Sequence, residues 1–161
     1  MVGNKYFKRI ELFLIVFLLV ISQISLVFAE TKLPSPSHEF YVYDEAEALS
    51  KETKEYIVDI NKKLEQKTGS QVVVAVVNSL DDLTVEEYAL QLFRKWRIGN
   101  KEKNNGILFL VSKGDRQVRI EVGYGLEGAL PDGKVGELLD DYVVPSLKKN
   151  TGWSTREYFR R

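Results

Sequence analysis

Residues Gln71–Val77 read QVVVAVV, and this run constrains the fold more than any other part of the chain. Five of its seven positions are valine, whose branched Cβ restricts χ1 and suits a pleated strand. The run is too short for a helix that would bury all its faces. It does not alternate apolar with polar, as a strand with one wet face would. It therefore predicts a central strand covered on both sides, of the kind found in parallel sheets. Such a strand cannot exist without helices above and below it.

The flanking segments supply them. Ser50 is a fitting N-cap for a helix over 51–67, with Glu52 in its first turn and Tyr56, Ile57, Ile60 and Leu64 on one face. Gly69 is placed to end it in the left-handed conformation. Thr84 and Glu87 form a T-x-x-E capping box for a second helix over 85–97. Its inward stripe is Val85, Tyr88, Ala89, Leu92, Phe93 and Trp96, and Gly99 and Asn100 stop it. Gly106–Ser112, GILFLVS, reads as a second buried strand. The turn Lys113-Gly114-Asp115-Arg116 then leads into Gln117–Val122, where Val118, Ile120 and Val122 alternate with Arg119 and Glu121. So short a turn makes the last two strands an antiparallel hairpin. A third helix is expected over 134–144, with Asp132 as its N-cap and Pro145 ending or kinking it. The order αβαββα predicts an α/β fold, a three-layer αβα sandwich on a small Rossmann-like sheet with an antiparallel hairpin.

The N-terminus addresses the compartment. Lys5, Lys8 and Arg9 precede an unbroken apolar run over 12–21, and Val27-Phe28-Ala29 offers a cleavage site before Glu30. Residues 1–29 thus read as a signal peptide or, if uncleaved, a signal anchor that ties the chain to the membrane. In both cases the remainder is extracytoplasmic, secreted or membrane-anchored, because the positive charges stay inside. Residues 30–40, with Pro34 and Pro36, read as an extended linker. Residues 41–150 form the domain. Residues 151–161 lack core periodicity and read as an atypical end, either natural or truncated.

Composition excludes several chemistries. The chain has 23 basic and 23 acidic residues; without Lys5, Lys8, Arg9 and Glu11 the counts become 20 and 22. No basic field is present to attract nucleic acid. Without Cys there is no disulfide framework, no thiolate nucleophile and no sulfur-based metal site. The one His, His38, lies in the linker, so Ser-His-Asp catalysis is excluded too. Hydrolytic chemistry here would have to run on carboxylates, with a hard metal ion bound through oxygen.

The acidic residues at element ends are the candidates. Asp44 and Glu45 precede the first helix, Asp81 and Asp82 follow the valine strand, Glu127 lies in a glycine-rich loop, and Asp132 opens the third helix. Ligands of α/β sheets collect at the carboxyl ends of parallel strands, where such oxygens could converge on Ca²⁺ or Mg²⁺. The same residues also serve simply as turn and helix caps. Asn104 and Asn105 either form a turn before the strand or offer amides to an anion, and Arg119 either decorates a strand or binds an anionic oxygen. Gly123, Gly125 and Gly128 spell G-x-G-x-x-G. A dinucleotide site is rejected, because Ala129-Leu130-Pro131 intervenes and only one helix follows. These glycines are instead expected to permit positive φ and close backbone approach, shaping a pocket wall.

Specific strings match a known family. They are Tyr43-Asp44-Glu45-Ala46 with Leu49-Ser50, Thr68-Gly69-Ser70-Gln71, Trp96-Arg97-Ile98-Gly99-Asn100-Lys101, and Asn104-Asn105-Gly106-Ile107-Leu108. The most specific is Arg119-Ile120-Glu121-Val122-Gly123-Tyr124-Gly125-Leu126-Glu127-Gly128, followed by Pro131-Asp132. Over 41–147 the sequence resembles the TPM domain family, which includes thylakoid-lumen proteins of photosystem repair and bacterial exported proteins. The resemblance implies an αβα sandwich, divalent-cation binding in some members and acid phosphatase activity in plant relatives. It supports Asp44, Glu127 and Asp132 as metal-site candidates; Asp82 lies in a less strictly matched stretch and is a catalytic candidate chiefly by its loop position. The expected function is an extracytoplasmic binding or assembly module at the membrane surface, with a membrane protein complex as partner and a cation ordering its acidic loops. The alternatives are a metal-assisted phosphomonoesterase and a truncated fragment without function.

Overall fold

The computed structural model describes Arg9, residues 13–15, Phe17 and residues 33–145. The chain divides into two units, residues 1–31 and 32–161. In the first, the described residues are helical, and Phe13, Leu14, Ile15 and Phe17 are exposed. Among the described residues no helix is long and apolar enough to cross a membrane. The expected signal segment and the atypical end over 151–161 lie outside the described residues, apart from those five positions near the N-terminus.

The second unit holds a four-stranded sheet in the order β1-β2-β3-β4. These are β1 (Val42–Asp44), β2 (Gln71–Val77), β3 (Gly106–Ser112) and β4 (Gln117–Val122). The first three are parallel, and β4 returns antiparallel, pairing Leu110 with Arg119. Helix α1 (Lys51–Thr68) joins β1 to β2, and α2 (Val85–Trp96) joins β2 to β3. After β4 come a 3-10 turn (Tyr124–Leu126) and α3 (Asp132–Leu138), which continues as a π turn over Leu139–Val143. The valine strand is central, with partners on both edges, as its continuous apolar run requires.

Each face of the sheet has its own core. Val73, Ala75 and Val77 of β2 and Leu108 and Leu110 of β3 pack with Val85, Tyr88, Ala89, Leu92 and Trp96 of α2. On the other face, Val76, Val111 and Val118 pack with Val135 and Leu139. Val42 and Asp44 share that second face, because they pair with Val74 and Val76. Helix α1 lies over them and is tied there by Lys54 to Asp44 at 2.8 Å. The result is the helix–sheet–helix sandwich expected from the element order.

Three sequence expectations are corrected. Strand β1 was absent from the expected order; at three residues it is too short to show a period, and its pairing with β2 creates it. Helix α1 is rotated from its expected face: Tyr56 and Ile60 are 65% and 46% exposed, while Asn61 is buried. Polar anchors set this rotation. Lys54 reaches Asp44, and the Glu65 carboxylate accepts from the Tyr41 hydroxyl and from Gln71; buried Asn61 is satisfied within the helix, its Nδ2 donating to the Ile57 carbonyl at 2.8 Å. Third, Asp132 is the first helical residue of α3, not its N-cap. Pro131 holds the cap position and has no side chain to donate or accept, so the helix entry rests on proline's fixed φ.

Candidate functional site

The two ends of the sheet carry different residues. At the carboxyl ends of the parallel strands stand Asp44, Glu45, Asp81, Asp82, Ser112 and Asp115. At the opposite edge stand Asn104, Asn105 and the glycine loop, since β4 runs antiparallel and delivers the chain there. Asp44 and Glu127 are therefore at opposite edges, and Asp132 starts α3 just after the glycine loop. The three expected metal ligands are not brought together, and as a set they do not fit one ion. Among the described residues no three Asp, Glu, His or Cys side chains gather in a way that could hold a metal.

Asp44 is bound within the fold. Its Oδ1 accepts from the Ala48 amide and its Oδ2 from the Leu49 amide, both at 3.0 Å, while Lys54 Nζ stands 2.8 Å away. Its side chain is only 2% exposed. Burial pushes its pKa up, but the hydrogen bonds from Lys54 and the two amides outweigh that and hold it below the usual carboxylate value. Asp44 thus closes the turn that carries the chain from β1 into α1. Glu45 does similar work, accepting the Asn78 amide at 3.1 Å and so joining the ends of β1 and β2. Asp115 accepts the Ser112 hydroxyl at 2.6 Å and the Leu80 amide at 2.7 Å, which secures the loop after β2 to the hairpin turn. Asp81 and Asp82 are exposed in that loop. Beneath them the buried Tyr88 has its pKa raised to about 12, first by burial and then by the charges of Glu45 and Asp81.

At the other edge, Asn105 is buried and fully engaged. Its Oδ1 accepts the Asn100 amide at 2.9 Å and its Nδ2 donates to Ser70 Oγ at 3.3 Å. Its amide serves the turn, in agreement with the turn-forming alternative. Asn104 has φ 47° and is exposed; its carbonyl accepts the Gly125 amide at 3.0 Å. Arg119 lies on the α2 face of β4, between Glu86 at 3.8 Å and Glu121 at 3.5 Å. Two carboxylates already flank its guanidinium, which disfavours an anion there.

The glycine loop is shaped by close approach, not by positive φ. A Cβ on Gly123 would lie 2.2 Å from the Asn104 carbonyl oxygen, and one on Gly125 would lie 1.8 Å from that of Lys103. Neither glycine has positive φ, and Gly128 has no neighbour within 4 Å. Gly123 and Gly125 let the loop lie flat on the turn before β3, and Tyr124 between them projects 79% exposed.

One concavity combines an apolar floor with charged walls. It is a cleft of about 600 Å³ between the segment at Ser37–Glu39, β1 and α1. Val42 and Val58 supply apolar surface, and Lys54, Glu55, Asp59 and Lys62 rise from α1. The sequence offered one signal for it, the i, i+4 spacing of Glu55 and Asp59 on a helix. The cleft itself depends on how α1 sits against an edge strand that the sequence did not reveal.

Comparison with known proteins agrees with this architecture. The family model described as the TPM domain matches residues 42–154. The N-terminal domain of a protein from P. gingivalis, solved by solution NMR, is 34% identical, with a TM-score of 0.62, covering 68% of this chain and 69% of that one. No curated protein matches. With more than half its length matched by the family model and the same domain fold, the chain belongs to the TPM domain family.

Proposed function

We propose that the chain works as an extracytoplasmic binding or assembly module at the membrane surface, and that the cleft between β1 and α1 is its docking site. The observation that carries this reading is the cleft itself: a preformed concavity with an apolar floor and convergent charged groups is the usual form of a binding site. The basic residues, apolar run and small-residue site before Glu30 support export. The acids expected to hold a metal or to activate water are either bound within the fold, like Asp44, or exposed and apart, like Glu127 and Asp82. That arrangement supports a phosphomonoesterase less than it supports a docking face.

The test uses the full chain in membrane-bearing host cells. A photo-crosslinking residue at Glu55 or Asp59 is expected to give a discrete adduct with a partner protein. The same residue at Lys134, on α3, is expected to give none. Equal adducts from all three positions, or none from the cleft, would remove the docking site.

A divalent cation enters the proposal only through the resemblance to family members that bind one, and the place proposed for it is the acidic carboxyl edge, in the loops that carry Glu45, Asp81 and Asp82. Titrating Ca²⁺ or Mg²⁺ into the domain should shift amide resonances in the loops after β1 and β2. A flat titration at millimolar cation would take the ion out of the proposal and leave the docking site intact.

A further inference from the structure

Strand β1 stands at the edge of the sheet, with no strand beyond it among the described residues. Its hydrogen bonding divides by residue. The Tyr41 carbonyl accepts from the Val74 amide and the Glu45 amide donates to the Val76 carbonyl, each at 2.9 Å. In a parallel pair, alternate residues turn their backbone groups toward the same neighbour. Tyr41, Tyr43 and Glu45 therefore face β2, and Val42 and Asp44 face outward. Val42 fits this, since its carbonyl accepts the Ser37 hydroxyl at 2.6 Å from outside the sheet. The Asp44 side chain is 2% exposed although the residue as a whole is half-buried, so its solvent-facing surface is main chain.

Natural edge strands are usually blunted, and the shortness of β1 is one such device. Here the edge also opens into the cleft, whose floor is formed by the side chains on the α1 face of the sheet. A strand added beside β1 would send every second side chain onto that face. Those side chains would meet Val42 and Val58 below, with Glu55 and Asp59 on the wall. The two lysines of the cleft are already paired, Lys54 with Asp44 and Lys62 with Glu39 at 3.2 Å. Among the described residues, Glu55 and Asp59 pair with exposed lysines one helical turn away, Lys51 and Lys63. Such exposed pairs exchange readily for another cation.

From the outward backbone groups and the acidic wall, we infer that the cleft takes an extended segment of a partner protein, added to the outer edge of β1, where it pairs with the main chain of Asp44 and displaces the Ser37 hydroxyl from the Val42 carbonyl. The segment places an aliphatic side chain against Val42 and Val58 and a Lys or Arg beside Glu55 and Asp59. This rests on the docking reading above and specifies its occupant. Backbone hydrogen bonds supply the affinity, and the alternating side chains supply the selection.

The probe is an eight-residue peptide of alternating Val and Lys, titrated into the domain and followed by amide NMR. Shifts are expected at Val42, Asp44 and the α1 residues Lys54 to Lys62, with the Asp44 amide gaining protection from hydrogen exchange. An alternating Val and Glu peptide should bind about fivefold to tenfold more weakly. The double variant Glu55→Lys with Asp59→Lys, both at exposed positions, should reverse that preference. A Val-Lys peptide N-methylated at alternate residues should lose binding, which separates strand addition from simple charge attraction. Equal binding of both peptides, binding unaffected by N-methylation, or pairing of β1 with a second copy of this chain would each overturn the inference. A cleft crosslink that persists when the peptides fail would keep the docking site and replace its occupant; loss of both would remove the docking reading itself.

Discussion

Gly125→Ala is expected to destabilise the domain by about 2–4 kcal/mol, whereas Gly128→Ala, three residues on, should change it by less than about 0.5 kcal/mol. The contrast follows from backbone contact. The added methyl at Gly125 would sit 1.8 Å from the Lys103 carbonyl oxygen, and a main-chain oxygen cannot swing aside as a side chain can. The loop would have to lift, breaking the hydrogen bond from the Gly125 amide to the Asn104 carbonyl. That carbonyl belongs to the turn that sets the start of β3, so the strain passes into the central sheet. At Gly128 the methyl would meet no atom within 4 Å. Urea unfolding of the two variants checks this. Equal midpoints would show that the glycines do not serve close approach, and the loop would need another explanation.

Asp44→Ala should cost about 2–4 kcal/mol, since it removes the acceptor for two backbone amides at the β1–α1 turn and leaves Lys54 unpaired. The lysine, more than a third exposed, accounts for no more than about 1 kcal/mol of this. The two amides account for the rest, so Lys54→Met should be the milder change. The effect also has a pH signature. The folded-state pKa of Asp44 is held below its ordinary value, first against the opposing effect of burial. Its contribution is therefore complete above the unfolded carboxylate pKa of about 3.9 and is lost as pH falls through the lower folded value. Wild-type stability should drop more steeply than that of Asp44→Asn between about pH 4 and pH 2, and in parallel with it above about pH 5. Parallel curves throughout would mean the carboxylate charge contributes nothing to the turn.

The same residue shows why the site was harder to read than the fold. An aspartate at the end of a strand looks the same in sequence whether it binds a cation or closes a turn. Spacing placed Asp44, Glu127 and Asp132 near element ends, and the hairpin it also predicted already carries the glycine loop to the far end of the sheet from Asp44; it could not show which amides the Asp44 carboxylate binds. Glu45 stood among the acidic candidates and Asp115 sits three residues after its partner Ser112, yet nothing local showed that both also tie distant loops at the carboxyl edge. Their long-range partners, the Asn78 and Leu80 amides, are 33 and 35 residues away in the chain.

The sequence by itself determined the layers, the three longer strands and the N-caps of the first two helices. These depend on local periodicity and on hydrogen bonds spanning a few residues, such as Thr84 with Glu87 and Ser50 with Thr53. Only the tertiary structure decided that Val42–Asp44 is a strand, which face of α1 turns inward and that a cleft opens beside them. Each of these is set by long-range pairing: β1 with β2, and Lys54 and Glu65 with Asp44, Tyr41 and Gln71. A polar anchor that reaches across the fold can turn a helix away from its apolar stripe, and no local pattern records where that anchor lies.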